Sequence, residues 1–289
     1  MPNDSFESID REDRSHPADG SGSSSESASL EGQGNAARAA EPGTPPGRFT
    51  RVIDLYGEEG FARLREACVT VLGLGGVGSH AAIALARTGV GQLVLADHDR
   101  LTASSLNRFP GAGPEDVGRL KAEFLREELA RTCPDTTTQI SLAFFHLDQA
   151  ETLFTPRPTI VADAIDSLNP KVALLEHCIR TGLPVVSSMG ASARRDPARI
   201  RVGELSETSG CPLARQIRRR LRRRGVAGSI RCVYSLEEGG PVLPPDPSEP
   251  QNTRGRIRNR LPSQITIPGI FGYALAHVVI EELVRDRLR

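Results

Sequence analysis

The sequence predicts an α/β fold of the Rossmann-like type, in which a doubly wound, mainly parallel sheet continues into a basic, mixed α/β extension at the C-terminal end. Two observations predict this fold. Short buried runs rich in Val, Leu and Ile alternate with longer helical patterns. The first of these runs passes directly into a glycine-rich loop and an Ala-rich helix, in the segment VTVLGLGGVGSHAAIALA.

The elements follow one another in a regular order up to residue 190. Strands are predicted over 68–72, 92–96, 137–143, 159–162 and 184–188, and helices over 51–66, 77–88, 118–132 and 170–181. The pattern then loosens into strands at 199–204 and 230–235, a basic helix at 212–224, a Pro- and Arg-rich loop at 238–262 and a closing helix at 270–288.

Charge divides the chain into a tail and a domain. Residues 1–47 carry nine acidic and three basic residues and almost no large apolar side chain, so we expect a disordered acidic tail before a domain over 48–289. Residues 194–260 carry sixteen Arg against seven acidic residues, although the whole chain has a formal net charge of zero. This imbalance predicts that the part from 190 to 289 is a basic, substrate-facing surface for a polyanion.

Other features of the composition exclude several classes of protein. The five cysteines are widely spaced and include no CxxC pair, which argues against a disulfide framework and predicts that the protein holds no zinc. The N-terminus lacks a signal-peptide pattern, the longest apolar run is interrupted, and the chain stops at a charged end. We therefore expect a cytoplasmic protein that does not associate with membranes.

The glycine loop is the strongest local signal of chemistry. Its glycines at positions Gly73, Gly75, Gly76 and Gly78 permit a tight turn and a close approach of the backbone to a phosphate, and the helix that follows offers amide donors. Asp97, at the end of the next strand, is placed to accept hydrogen bonds from ribose hydroxyls. The alternative is a glycine turn that only packs a helix on a strand, and the loop by itself does not distinguish NAD from ATP.

Polar residues after the other strands favour ATP. Asp99, Asn107 with Arg108, Lys121 and Asp166 all follow strands whose carboxyl ends form the ligand crevice of such a sheet. Adenylation of a carboxylate needs cations on the leaving pyrophosphate, which Arg108 and Lys121 can supply, and a carboxylate for Mg²⁺, which Asp166 can supply. Each of these residues taken singly is as easily a surface charge or a helix cap. Lys121 stands out because the chain has thirty-four Arg and only one other lysine, Lys171.

In combination these motifs resemble the adenylating domain of the ubiquitin-activating-enzyme superfamily, whose bacterial members include the molybdopterin- and thiamine-synthesis adenylyltransferases. The resemblance implies that Asp97, with Asp99 beside it, holds the ribose, that Asn107, Arg108 and Lys121 contact the phosphates, and that Asp166, followed by Ser167, binds Mg²⁺. It also implies that Arg51, in the segment RFTR at 48–51, reaches ATP from a partner subunit, so that the protein is a homodimer.

Longer segments are similar to one branch of this superfamily, the tRNA threonylcarbamoyladenosine dehydratases. They are RVIDLYGEEG, GGVGSHAAIALARTGVG, DVGRLKAE, DAIDSLNPKVALLEHC, LPVVSSMGASARRDPARIRVGEL and RCVYSLE, all within 48–289. The branch lacks the zinc-binding CxxC pairs, as this chain does. The resemblance implies ATP-dependent adenylation of the threonyl carboxylate of the modified nucleoside in tRNA, followed by ring closure with loss of AMP. It also implies a partner from the cysteine-desulfurase system.

The basic helix agrees with a tRNA substrate on independent grounds. In RQIRRRLRRR the arginines cover most of a helix circumference, so we expect Arg215, Arg218, Arg219 and Arg222 to bind the RNA backbone. The alternative for them is a solvated face on an Arg-rich chain. Cys232, in RCVYS, is a candidate nucleophile, although an unreactive core cysteine is the favoured interpretation.

Three other functions stay open from the residues. One is an adenylyltransferase that activates the C-terminal glycine of a ubiquitin-like sulfur carrier, which the basic helix and the missing zinc cysteines disfavour. Another is an NAD-dependent oxidoreductase, which would leave Arg108, Lys121 and Asp166 without a role. The last is a non-catalytic, nucleotide-dependent RNA-binding protein, which the complete set of phosphate-binding residues disfavours.

Overall fold

A single sheet of seven strands organises the described part of the chain. The computed structural model describes residues 47–142, 145, 150–245 and 260–285. The strands are β1 (Cys68–Leu72), β2 (Gln92–Ala96), β3 (Thr137–Ser141), β4 (Ile160–Asp163), β5 (Val185–Ser188), β6 (Ile200–Glu204) and β7 (Arg231–Ser235). Their order across the sheet is β3-β2-β1-β4-β5-β7-β6, with β6 antiparallel to β7 and all the other pairs parallel.

Helices connect the strands and cover the sheet. They are α1 (Thr50–Glu66), α2 (Gly78–Thr88), α3 (Lys121–Thr132), α4 (Ala150–Leu153), α5 (Leu168–Thr181), α6 (Pro212–Arg223) and α7 (Thr266–Val284). Apolar side chains of α1, α2, α3 and α7 share one core cluster with one face of the strands, and those of α4, α5 and α6 lie in two clusters with the other face. The sheet is therefore covered on both faces, as a parallel sheet requires.

The order of the first five strands fixes where a ligand can bind. Chain connections run outward from β1 in one direction to β2 and β3, and in the other direction to β4 and β5. The carboxyl ends of β1 and β4 lie side by side, with Leu72 opposite Asp163. This is the topological switch point of a doubly wound sheet, and the loops that follow β1 and β4 border the crevice that opens there.

Most predicted elements are present, and two helix starts that differ from the prediction have local causes. β1 and β2 cover the predicted residues. α3 begins at Lys121 rather than at 118, because Gly118 lies in the left-handed region with φ 94°. α7 begins at Thr266, four residues before the predicted start, because Pro268 sits in the first turn, where its missing amide is no cost. A short helix over Ala150–Leu153 was not predicted.

The predicted C-terminal extension joins the main sheet. β7 pairs in parallel with β5, and β6 closes that edge of the sheet. Residues 1–46 of the predicted tail (1–47), most of the Pro- and Arg-rich loop (246–259) and the predicted helix end at 286–288 lie outside the described residues.

α7 is long and apolar enough to cross a membrane, and it is the one helix in the described ranges with this length and composition. However, 61% of its apolar window is buried in the fold. Its buried side chains pack against α1, α2 and the sheet. A mostly buried helix of this kind is typical of a core helix.

Candidate functional site

The glycine loop that connects β1 to α2 lies at the switch point. The amide of Gly73 donates to the carbonyl of Ala96 at the end of β2, with a distance of 2.9 Å. The hydroxyl of Ser79 donates to the Gly75 carbonyl at 2.7 Å, and Nδ1 of buried His80 lies 2.7 Å from the carbonyl oxygen of Gly76. These bonds hold the carbonyl groups of the loop, so the loop presents one backbone conformation to a ligand.

The glycines of this loop differ in how closely other atoms surround them. A side-chain Cβ at Gly73 would lie 2.8 Å from the Ala164 carbonyl oxygen, and one at Gly78 would lie 1.8 Å from the Gly73 carbonyl oxygen. A Cβ at Gly75 would meet nothing within 4 Å. Packing within the protein therefore explains Gly73 and Gly78, whereas at Gly75 the glycine leaves open space beside the loop.

Asp97 connects the glycine loop to the end of β2. Its Oδ2 accepts from the amide of Leu74 at 2.6 Å, and its Oδ1 accepts from the amide of Asp99 at 2.8 Å. Burial raises the pKa of the Asp97 carboxyl above its ordinary value, and the ammonium of Lys121 opposes that rise. A carboxylate held in this way still has lone pairs that can accept hydrogen bonds from hydroxyl groups of a ligand.

Lys121 lies next to these acids at the first position of α3. Its Nζ is 3.1 Å from Oδ2 of Asp99, and its backbone amide donates to the Asp99 carbonyl at 3.0 Å. His98 Nε2 lies 3.3 Å from the other carboxylate oxygen of Asp99. One donor atom each of Asp97, His98 and Asp99 falls within 4.8 Å of the others, which is close enough for a metal ion. The nearby ammonium makes that position unfavourable for a divalent cation, so we assign it no metal.

Arg108, which the sequence predicts to contact phosphates, lies across the glycine loop. A Cβ built on Gly76 would be 3.2 Å from both Cγ and Cδ of Arg108, so its aliphatic stem covers the loop. Its Nη1 donates to the Ser104 carbonyl at 2.6 Å and to Oδ1 of Asn107 at 3.2 Å. Asn107 in turn donates from Nδ2 to the Ser263 carbonyl at 3.0 Å, which connects the site to the segment before α7.

Asp166 and Ser167 follow β4 on the other side of the switch point. The Ala164 amide donates to the Leu72 carbonyl at 2.8 Å, which joins this loop to the end of β1. Asp166 is exposed, and its Oδ1 accepts from the Ser167 hydroxyl at 3.1 Å. An exposed carboxylate beside a hydroxyl offers the hard oxygen ligands that Mg²⁺ prefers.

Two predicted residues lie apart from this group. Arg51 is exposed in the first turn of α1, and within the described residues no hydrogen bond or ion pair connects it to the glycine loop. Cys232 is fully buried in β7, and burial raises the pKa of its thiol to about 12. A thiol in such surroundings is almost entirely protonated at neutral pH, which disfavours a nucleophilic role.

The four arginines predicted to bind RNA line one cavity. Arg215, Arg218, Arg219 and Arg222, together with Ser206, surround a volume of about 510 Å³ beside α6. Arg218 differs from the others, because its Nη1 also donates to the carbonyls of Thr208 at 2.8 Å and Leu205 at 3.2 Å and so holds the turn before α6.

Two other arginines, one in α6 and one directly after it, make contacts within the protein. Arg220 donates to Oδ1 of Asn169, and Arg224 lies 2.7 Å from a carboxylate oxygen of Glu176, both on α5. Buried Ala214, Ile217 and Leu221 form the apolar face of α6. The outward arginines thus form a basic surface on a helix that is firmly attached to α5.

The pairing of Asp163 with Lys171 behind the site was not predicted. Their Oδ2 and Nζ atoms are 2.7 Å apart, and both side chains are fully buried. The sequence contained one indication that Lys171 has a particular role, because Lys171 and Lys121 are the only two lysines in a chain with thirty-four arginines.

Comparison with known proteins assigns the fold to a family. A model described as the ThiF family matches residues 49–286. The chain belongs to the ThiF family, and the superfamily resemblance seen in the sequence is confirmed.

Particular relatives narrow the comparison further. A protein of Bacillus subtilis (strain 168) named tRNA threonylcarbamoyladenosine dehydratase is 32% identical over 243 residues, which are 83% of this chain and 95% of the relative. The molybdopterin-synthase adenylyltransferase of Salmonella typhimurium is 36% identical over 151 residues, which are 52% of this chain and 59% of that relative. The dehydratase therefore matches a larger share of both chains.

Solved structures agree. The crystal structure of E. coli tRNA N6-threonylcarbamoyladenosine dehydratase in complex with AMP has a TM-score of 0.72 and 32% identity, covering 82% of this chain and 93% of that chain. The same enzyme in complex with ATP has a TM-score of 0.71 and 31% identity, with equal coverage. The α/β fold class is confirmed, and these relatives are enzymes whose structures contain adenine nucleotides.

The contrast between Gly75 and Gly78 gives a matched pair of variants. Gly75→Ala should unfold at nearly the wild-type temperature but bind an ATP analogue roughly 5- to 150-fold more weakly, since its methyl group would enter the open space at a cost of about 1–3 kcal/mol. Gly78→Ala should instead lower the melting temperature, because its Cβ would overlap the Gly73 carbonyl. Thermal unfolding and calorimetric titration measure both effects. Equal losses of stability in the two variants would contradict the assignment of Gly75 to the ligand.

Proposed function

We propose that the protein is an ATP-dependent tRNA threonylcarbamoyladenosine dehydratase. A carboxylate oxygen of the threonyl group attacks the α-phosphorus of ATP, and pyrophosphate leaves. Ring closure within the nucleoside then displaces AMP, which carries away that carboxylate oxygen, so the nucleoside loses one water overall. The observation that carries this proposal is the arrangement of Asp97, Arg108 and Lys121 around the glycine loop. The chain that carries this arrangement also matches 95% of the length of a relative named as a dehydratase.

The glycine loop and its neighbours would hold ATP. In this proposal the loop glycines cradle the phosphates against the N-terminus of α2. Asp97 and Asp99 accept hydrogen bonds from the ribose, and Asn107, Arg108 and Lys121 contact the phosphates. Lys121 is paired with Asp99 at 3.1 Å, so a phosphate would compete with that carboxylate for the ammonium. The cations would stabilise the charge that develops on the departing pyrophosphate.

Mg²⁺ would be held by Asp166, with the hydroxyl of Ser167 beside it. Mg²⁺ commonly uses one or two carboxylates and completes its coordination with water and the phosphates of a substrate. The exposed carboxylate of Asp166 fits this pattern, and it lies on the loop that contacts Gly73. When bound, the ion supplies positive charge to the phosphate oxygens.

The cavity beside α6 would bind the tRNA backbone. A sulfur-carrier protein, the alternative substrate, presents a C-terminal carboxylate and needs no extended cationic surface. Four arginines around one cavity suit a polyanion better, because each phosphate that they neutralise releases a counterion. Among them, Arg215, Arg219 and Arg222 are exposed, whereas Arg218 also holds the turn at Thr208.

The active form would be a cytoplasmic homodimer in which Arg51 of each subunit completes the other's site. The exposed position of Arg51 on α1 supports this arrangement, since among the described residues of its own chain no hydrogen bond or ion pair connects it to the glycine loop. A partner from the cysteine-desulfurase system, implied by the family resemblance, stays a prediction.

The reaction itself can be tested directly. With Mg²⁺, ATP and tRNA that bears threonylcarbamoyladenosine, the protein should release AMP and pyrophosphate in equal amounts, and mass spectrometry should show the modified nucleoside lighter by one water. The same tRNA without the threonylcarbamoyl group is the control. If nucleotide were cleaved only when a sulfur-carrier protein replaced the tRNA, the alternative function would be correct.

Variants of Lys121 and of α6 should affect different steps. Lys121→Ala should reduce turnover by roughly 100-fold or more while leaving tRNA affinity near wild type, because removing one preorganised contact to transition-state charge has effects of that size.

The triple variant Arg215→Gln, Arg219→Gln, Arg222→Gln should weaken tRNA binding and reduce the slope of log affinity against log salt by about one per lost phosphate contact.

The control for the triple variant removes three positive charges from a different surface of the protein. Arg87, Arg126 and Arg131 are exposed on α2 and α3, and none lines the cavity beside α6. Their replacement by Gln should leave the salt slope unchanged. A similar loss of affinity in both triple variants would mean that the effect comes from overall charge, not from this surface.

A mixing experiment tests the shared site. Arg51→Ala and Lys121→Ala should each be nearly inactive. After their subunits reassort, activity should recover to about a quarter of wild type, because half of the dimers are mixed and each of these holds one complete site. Mixtures that stay inactive despite verified subunit exchange would show that Arg51 acts within its own chain or has no part in the reaction.

A further inference from the structure

We propose that Lys171 is a positioning residue, which acts through Asp163 and the backbone of Ile165 to hold the Asp166 carboxylate at the phosphate site. The inference rests on the proposed role of Asp166 in holding Mg²⁺. It concerns a lysine that lies outside the site and is completely removed from solvent.

Both members of this ion pair contact the residue before Asp166. Nζ of Lys171 lies 2.7 Å from Oδ2 of Asp163 and donates to the Ile165 carbonyl at 2.9 Å. Oδ1 of Asp163 accepts from the Ile165 amide at 3.0 Å. Both backbone polar groups of Ile165 are therefore bonded to the pair, one to its cation and the other to its anion.

The sheet holds the anion of the pair in place. Asp163 ends β4 and lies opposite Ser187 of β5, which in turn lies opposite Cys232 of β7. The Ser187 hydroxyl donates to Oδ2 of Asp163 at 2.7 Å. Burial raises the pKa of Cys232 to about 12, so that its thiol stays neutral. The carboxylate paired with Lys171 is therefore that of Asp163, at 2.7 Å.

Stability alone does not account for such a pair. Removing two charges from water is costly, and replacing a buried ion pair by neutral side chains of similar size is often neutral or stabilising. The pair does, however, give the Ile165 peptide a fixed orientation, which an apolar pair would not do. Groups behind a metal ligand commonly have this orienting effect.

The same pair supports the glycine loop. A Cβ on Gly73 would lie only 2.8 Å from the Ala164 carbonyl oxygen. The amide of Ala164 donates to the Leu72 carbonyl. A shift of Ile165 would therefore move both the Asp166 carboxylate and the surface against which Gly73 packs. α5 begins at Leu168, two residues after Asp166, and Lys171 in its first turns bonds to Ile165, the residue before Asp166. The helix therefore holds the chain on both sides of Asp166.

The test uses a neutral pair of nearly the same size. In the full chain, the double variant Asp163→Asn, Lys171→Met keeps an acceptor for the Ile165 amide and removes the donor to its carbonyl. Leu175→Ala is the reference variant, because it opens a cavity in the same helix at a fully buried position, in a core cluster that does not include Ile165. The measurements are thermal unfolding, binding of a non-hydrolysable ATP analogue over a series of Mg²⁺ concentrations, and amide exchange of the peptide that contains Ile165.

The double variant should stay folded and need about 10- to 100-fold more Mg²⁺ for half-saturation of analogue binding. Its analogue affinity without Mg²⁺ should stay near wild type, and exchange at Ile165 should rise. Leu175→Ala should lower the melting temperature without changing the Mg²⁺ requirement. A folded double variant with wild-type Mg²⁺ dependence and wild-type exchange would overturn the proposal.

A second variant covers the case in which the double variant does not fold. Ser187→Ala removes one donor to Asp163 and leaves both charges in place, and it should raise the Mg²⁺ requirement in the same direction by a smaller factor. No change in Ser187→Ala would then overturn the proposal. These measurements use no tRNA, so a wild-type protein that binds the analogue with Mg²⁺ but does not dehydrate tRNA would refute the proposed function alone.

Discussion

The approach of the glycine loop to the backbone after β4 is the constraint on which the rest of the site depends. Where β1 and β4 end, the Ala164 carbonyl leaves no room for a side chain at Gly73, and the Gly73 carbonyl leaves none at Gly78. Because the two loops touch through backbone atoms, the glycine loop and the segment that carries Asp166 are positioned together. Arg108, whose stem lies against Gly76, and Asp97, which accepts from the Leu74 amide, both contact the glycine loop.

Much of the fold could be predicted because its signals are local. The buried strands next to the switch point are short apolar runs between glycines and helical patterns, and β1 and β2 coincide with their predicted residues. The first residues of helices were harder to predict from the sequence, since each depends on the backbone conformation of a single residue. Gly118 delays α3, and Pro268 is accommodated in the first turn of α7 rather than preceding it.

The site was predictable in its residue types and less so in its contacts. Motif spacing singled out Arg108 and Lys121 as candidates, and the structure brings Arg108 to the loop and Lys121 to Asp99. The pairing of Asp163 with Lys171 depends on the register of β4 and on how α5 is rotated against the sheet, and neither is encoded in a local pattern. The same holds for Arg218, whose partners lie on the turn before its own helix.

The scarcity of lysine has a consequence for the chemistry of the protein surface. Lys171 is fully buried, and only 11% of the Lys121 side chain is exposed, so no lysine side chain of the sequence is freely accessible. The thirty-four arginines keep the charge that binds anions but are not acceptors for acetyl or ubiquitin groups. Acylation of lysine would therefore have one target that solvent reaches at all, Lys121, where it would cancel the charge beside Asp99.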